Sequence, residues 1–144
     1  MKKIAIACDK AGVLLKNFLI ENIQNENFVF NDLGSYNQDS VDYPDYAKKV
    51  VKSLLNKEAD FGVLICGTGI GMSMSANRYK GIRAAVCHNS LEARLTREHN
   101  DANILCMGAR IIGNECALEN LKVFLNTEFS GGRHIRRIEK IDEL

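Results

Sequence analysis

The chain has 144 residues, 46% of them hydrophobic, with 19 basic and 18 acidic side chains and a net charge of +1. That length supports one domain with one good core, expected over residues 1–144, and the balanced charge gives no global field for nucleic acid or an anionic membrane. No apolar run approaches the ~20 residues of a membrane span or a secretory leader, and five cysteines with no C-x-x-C pair indicate neither a disulfide framework nor a zinc site, so a cytoplasmic protein is expected.

In chain order, the first apolar run, Lys3 to Cys8, reads as a strand ending in Asp9-Lys10-Ala11-Gly12. A helix is predicted from Val13 to Gln24, then a strand from Phe28 to Leu33. Pro44, the only proline, suits the first turn of a helix from Tyr43 to Asn56. The run Phe61 to Cys66 is a strand that passes straight into Gly67-Thr-Gly-Ile-Gly71, with a helix from Ile70 to Arg78. A strand from Arg83 to Cys87, a helix from Ser90 to Glu98, a polar stretch Glu98-His-Asn-Asp-Ala-Asn103 and a strand from Asn103 to Met107 follow. Beyond Gly108-Ala-Arg110 lie a helix from Glu115 to Asn126, a break at Ser130-Gly-Gly132 and a short basic helix or tail over about 131–144.

Strands alternating with helix-length segments, and strands apolar almost throughout, predict an α/β fold. Its form is a three-layer αβα, Rossmann-like sandwich with a five-stranded, mostly parallel sheet. Ligands of such sheets bind outside the carboxyl ends of the strands, near the point where strand order reverses.

Three polar clusters are expected to meet at that edge, the third being Glu98 to Asn103. Asp9 and Lys10 end the first strand, although Asp9 alone would also serve as a helix cap. Cys66 ends the third strand, on a glycine turn whose backbone N–H groups favour an anion or oxyanion, and a sulfur there gains thiolate character. Tight α/β turns need glycine anyway, so the turn alone is equally compatible with a plain connection. It is not a P-loop, and Gly67-x-Gly69-x-Gly71 departs from the dinucleotide pattern. No acidic residue follows the next strand, so NAD is disfavoured. Cys8, Cys87 and Cys106 read as core residues, Cys116 as unremarkable, and His88 as an ordinary polar residue.

His99 can transfer protons near neutral pH, but its loop enters a strand and lies on the wrong edge. Its use requires the helix end or a second subunit to bring it over. Arg133 and Arg137 lie one helical turn apart and can clamp a phosphate.

Together these motifs resemble the ribose-5-phosphate isomerase B family, which includes galactose- and allose-6-phosphate isomerases. The matching pieces run over essentially the whole chain: Cys8-Asp9 with Ala11-Gly12, Asp42-Tyr-Pro-Asp-Tyr-Ala47, Ile65-Cys-Gly-Thr-Gly-Ile-Gly71, Gly81-Ile-Arg83-Ala, His99-Asn-Asp-Ala-Asn103, Gly108-Ala-Arg110 and Gly131-Gly-Arg-His134 with Arg137.

The resemblance implies interconversion of D-ribose 5-phosphate and D-ribulose 5-phosphate, without metal, nucleotide or other cofactor, in a homodimer or tetramer whose sites lie between subunits. It implies that Cys66 is the base, with Thr68 and the N–H groups of Gly67, Gly69, Ile70 and Gly71 stabilising the enediolate. His99, oriented with help from Asp9, would open the sugar ring and Asn100 would hold a hydroxyl. Arg110, Arg133 and Arg137 would hold the phosphate with assistance from His134. One departure stands out: the family usually has His where this chain has Lys10, which keeps the positive charge without the imidazole. The competing readings are a six-carbon sugar-phosphate isomerase and a non-catalytic sugar-phosphate or nucleotide-binding module; the latter would need the clamp but not the thiol, His99 or the turn.

Overall fold

A computed structural model describes residues 1–23 and 27–143. Its strands are β1 (Lys2–Cys8), β2 (Phe28–Asp32), β3 (Phe61–Cys66), β4 (Ala84–Val86) and β5 (Ile104–Gly108). Its helices are α1 (Val13–Asn22), α2 (Tyr43–Leu55), α3 (Ile70–Ala76), α4 (Ser90–Asn100), α5 (Asn114–Asn126) and α6 (His134–Asp142). The expected end of the first helix at Gln24, and Leu144 in the basic tail, lie outside the described residues.

All strand pairs are parallel, in the order β2-β1-β3-β5-β4. Strand order reverses between β1 and β3, which brings Asp9 and Cys66 to neighbouring strand ends: Asp9 donates its N–H to the Ile65 carbonyl at 3.1 Å. A second reversal puts β5 inside and leaves β4 at the edge.

Side chains alternate across a strand, and here both faces are apolar. Ile4, Ile6, Cys8, Val63, Ile65, Leu105 and Met107 pack under α1, α4 and α5. Ala5, Ala7, Leu64, Cys66, Ile104 and Cys106 pack under α2 and α3. This alternation aims Cys66 at the face on which α3 begins.

At the outer edge, the Asn77 side chain closes β4. Its Nδ2 donates to the Ala84 carbonyl at 2.9 Å and its Oδ1 accepts from the Ala84 N–H at 2.8 Å. Between β1 and α1, in the stretch read only as the end of the first strand, lies a short 3-10 turn, Lys10–Gly12; the Asp9 carboxylate caps it by accepting from the Ala11 N–H. No helix among the described residues is long and apolar enough to cross a membrane.

Candidate active site

Cys66 ends β3 with only 5% of its surface exposed. The chain then reverses through Gly69, whose φ of +80° lies in the left-handed region that favours glycine. This reversal points the Gly69 N–H back at the sulfur, to which it donates at 3.2 Å. The Ile70 N–H is taken by Thr68 Oγ1 at 3.2 Å. Among the described residues the N–H groups of Gly67, Thr68 and Gly71 have no backbone or side-chain acceptor. One turn thus offers a thiol, a hydroxyl and three backbone donors.

The end of β5 holds this turn in place. A methyl group on Gly108 would sit 2.6 Å from the backbone of Thr68, so the close approach requires glycine there. The N–H of Ala109 donates to the Cys66 carbonyl at 2.8 Å and that of Arg110 to the Gly67 carbonyl at 3.0 Å. The Arg110 guanidinium passes directly over Gly67, where it would lie 3.4 Å from an added methyl. Tyr43, at the start of α2, covers Gly71 in the same way, its ring and hydroxyl 2.7 to 2.8 Å from where a methyl would be. Asp9 lies at the neighbouring strand end; one carboxylate oxygen caps the 3-10 turn, leaving the other without a partner among the described residues. Lys10 beside it is exposed.

The remaining buried thiols are unsuited to base chemistry. Burial pushes the Cys8 thiol up to about 11, against some opposition from the Lys16 charge, and the Cys87 thiol up to about 12. Burial raises Cys106 as well. Their reading as core residues agrees with this, and Cys116 is exposed. His88 has a more specific place than its sequence position indicated. Its Nε2 accepts the Gly108 N–H at 2.9 Å, and its own N–H donates to Glu92 at 3.0 Å. It therefore buttresses the strand end that braces the Cys66 turn, a contact over 20 residues with no local signal.

The other predicted site residues assemble elsewhere. His99 and Asn100 form the last turn of α4, and His134 opens α6. The two imidazoles stack with centroids 4.5 Å apart and planes at 16°. Desolvation, then the charges of His99, Arg133 and Arg137, lower the His134 pKa below the usual histidine value. Arg133 and Arg137 are both exposed, four residues apart on one helical stretch, as the spacing predicted. Arg110, however, is at the Cys66 turn, away from these two.

The two groups lie at opposite edges of the sheet. Cys66 pairs with Gly108 at one end of β5, whereas Asn103 precedes its other end. Five residues of strand separate those levels by about 16 Å. Within one chain Asp9, Lys10, Cys66, Thr68 and Arg110 gather at one edge, and His99, Asn100, Arg133, His134 and Arg137 gather at the other.

A ribose/galactose isomerase family model matches residues 4–141. Ribose-5-phosphate isomerase B of Escherichia coli is 41% identical over 141 residues, covering 98% of this chain and 95% of the relative. A Listeria innocua ribose-5-P isomerase B is 44% identical over 142 residues, covering 99% and 96%. Among solved structures, a ribose 5-phosphate isomerase of Thermotoga maritima is 55% identical, covers 99% of both chains and superposes with a TM-score of 0.96.

Proposed function

We propose, on the premise that the chain belongs to the ribose/galactose isomerase family, that it interconverts D-ribose 5-phosphate and D-ribulose 5-phosphate by moving a proton between C2 and C1. The observation that carries this reading is the Cys66 sulfur held by the Gly69 N–H at 3.2 Å, in a turn with unpaired donors. As thiolate, Cys66 takes the C2 proton of the open aldose. The electron pair moves into a C1–C2 double bond and the aldehyde oxygen becomes an enediolate oxygen. Thr68 and the turn N–H groups stabilise that charge as it forms. Cys66 then returns the proton to C1, while the C2 hydroxyl gives up its proton to the C1 oxygen, so that C2 becomes the ketone and C1 carries the hydroxyl. One base on one face serves both steps.

Ring opening and phosphate binding fall to His99, Asn100, Arg133, His134 and Arg137. Because these lie at the opposite edge, the complete site is assembled between two copies, with His99 of one copy reaching Asp9 and Cys66 of the other. Exposed apolar side chains around the Cys66 edge support such a contact: Leu14, Ile70, Met74, Leu91 and Ile111 are 49 to 71% exposed. Ile135 on α6 offers an apolar counterpart, 48% exposed. Single isolated apolar residues are ordinary on surfaces, but a group ringing one site marks an interface. The protein is thus proposed to be a homodimer, or a tetramer of such pairs, with each chain a single isomerase domain. Its reduced cysteines fit the cytoplasm.

The test is incubation with ribose 5-phosphate in deuterated water, alongside allose 6-phosphate and galactose 6-phosphate. Ribulose 5-phosphate carrying deuterium at C1 is expected. Neither product nor label from the pentose would refute the isomerase reading, and faster turnover of a hexose phosphate would move the substrate assignment.

A further inference from the structure

We infer that Arg83 is a positioning residue that sets the phosphate-binding half of the site by tying α6 to the last turn of α4. The inference rests on the functional reading above, which gives Arg133 and Arg137 to phosphate and His99 and Asn100 to the sugar. It assigns a role to Arg83, which touches none of the reacting groups.

Helix α6 has little else to hold it. It follows Gly131 and Gly132, both left-handed with φ of +70° and +60°, and Ile138 is its one buried residue. Near its start the helix touches the body through the His99–His134 stack. At its far end a cleft of about 380 Å³ opens where α6 and α4 meet the segment leading into β4, lined in part by Tyr79, Arg83, Thr96, Asn100 and Ile141. Arg83 spans this gap. Its Nη1 donates to both oxygens of Asp142 at 3.1 and 3.0 Å, while its Nε donates to the carbonyls of Asn100 and Asp101, each at 3.1 Å. The Arg83 side chain is 16% exposed, so these charge-assisted bonds are partly shielded from solvent.

The carbonyls it grips end the helix turn that bears His99 and Asn100. Asp101 next to them has a left-handed φ of 46° and is also held by Arg97 at 2.7 Å. Arg83 itself is fixed by its N–H, which donates to Asn103 Oδ1 at 2.8 Å. One guanidinium therefore holds the ring-opening turn with one nitrogen and the phosphate helix with another. Without the tie, a rotation of about 20° at the glycine pair would carry the far end of this nine-residue helix roughly 5 Å. Arg137, five residues beyond the pair, would shift by roughly 2 to 3 Å, enough to lower productive binding substantially.

The test compares Asp142→Asn, Asp142→Glu and Arg83→Met with wild type in isomerase kinetics and in calorimetric titration with inorganic phosphate. Asp142→Asn takes the charge and one of the two acceptor oxygens from the tie to α6 and leaves the α4 contacts in place; it should raise KM and the phosphate Kd by about tenfold with kcat within about twofold. Arg83→Met, which also releases the carbonyls beside His99 and Asn100, should lower kcat as well. Asp142→Glu should restore most of the phosphate affinity. A wild-type KM and phosphate Kd in Asp142→Asn would overturn the inference, even if its melting temperature fell, and this variant decides the matter if Arg83→Met does not fold. If wild type fails to isomerise ribose 5-phosphate, the functional reading fails by itself, and the phosphate titration still tests the tie.

Discussion

Because Cys66 and His99 lie at opposite ends of β5, damaging them in separate chains should allow repair by mixing. Cys66→Ala removes the proposed base and should cost on the order of 10² to 10⁴ in turnover, and His99→Asn should cost about 10² on cyclic sugar. In a two-fold dimer the paired contacts are reciprocal. A mixed dimer then has one site with both lesions and one site with neither. Random assortment at equal concentrations makes about half of the dimers mixed, so about one quarter of all sites are intact. After co-refolding, the mixture should recover about one quarter of the wild-type specific activity, far above either parent. If both residues served the same chain, every site would carry a lesion and mixing would recover nothing. An activity equal to the average of the parents, with mixed dimers demonstrated by mass spectrometry, would refute the two-edge argument.

Gly108→Ala would put a methyl 2.6 Å from the Thr68 backbone; steady-state kinetics should show a fall in kcat of at least about tenfold, and a stability loss of about 1–3 kcal/mol is expected from overpacking. Burial raises the Cys8 and Cys87 thiols to about 11 and 12, so the unfolded chain, with ordinary thiols near 9, loses protons first. Urea denaturation should show full stability below pH 9 and a decline from pH 9 towards 12, by no more than about 1.4 kcal/mol per pH unit for each thiol; a rise over that range would contradict the sign. Lys10 is exposed at the strand end and should substitute for the family's histidine electrostatically, so Lys10→His should change turnover little. A gain of orders of magnitude on cyclic ribose 5-phosphate would show that an imidazole is needed there.

Most strand positions were legible because burial on both faces writes itself as unbroken apolar runs. Phe61 to Cys66 was placed to the residue, and the fifth strand was displaced by one, to Ile104–Gly108. The glycine turn was legible as a possible anion cradle because its spacing is local. The 3-10 turn at Lys10 was not, since its one distinguishing contact is the Asp9 side chain reaching back to Ala11. Partnerships between distant segments left no mark. Lys16, entirely buried, pairs with Asp32 at 2.6 Å beneath the Tyr36 ring, yet on its helix it reads as an ordinary surface lysine. Arg83, quoted only within the motif Gly81-Ile-Arg83-Ala, and His88, read as an ordinary polar residue, were given no such role for the same reason. Their partners are set by the placement of β5 between β3 and β4, which sequence periodicity does not encode. The basic tail, read as helix or coil, is helical from His134 to Asp142.

The amide of Asn77, engaged with both polar groups of Ala84, bears on how copies of this chain can meet. A bare outer strand is a template on which another chain can continue the sheet. Here that template is only three residues long and its first rung is already occupied from within. Growth by side-to-side addition of strands is discouraged at this margin, whereas the proposed pairing at the ends of the strands would also complete the chemistry.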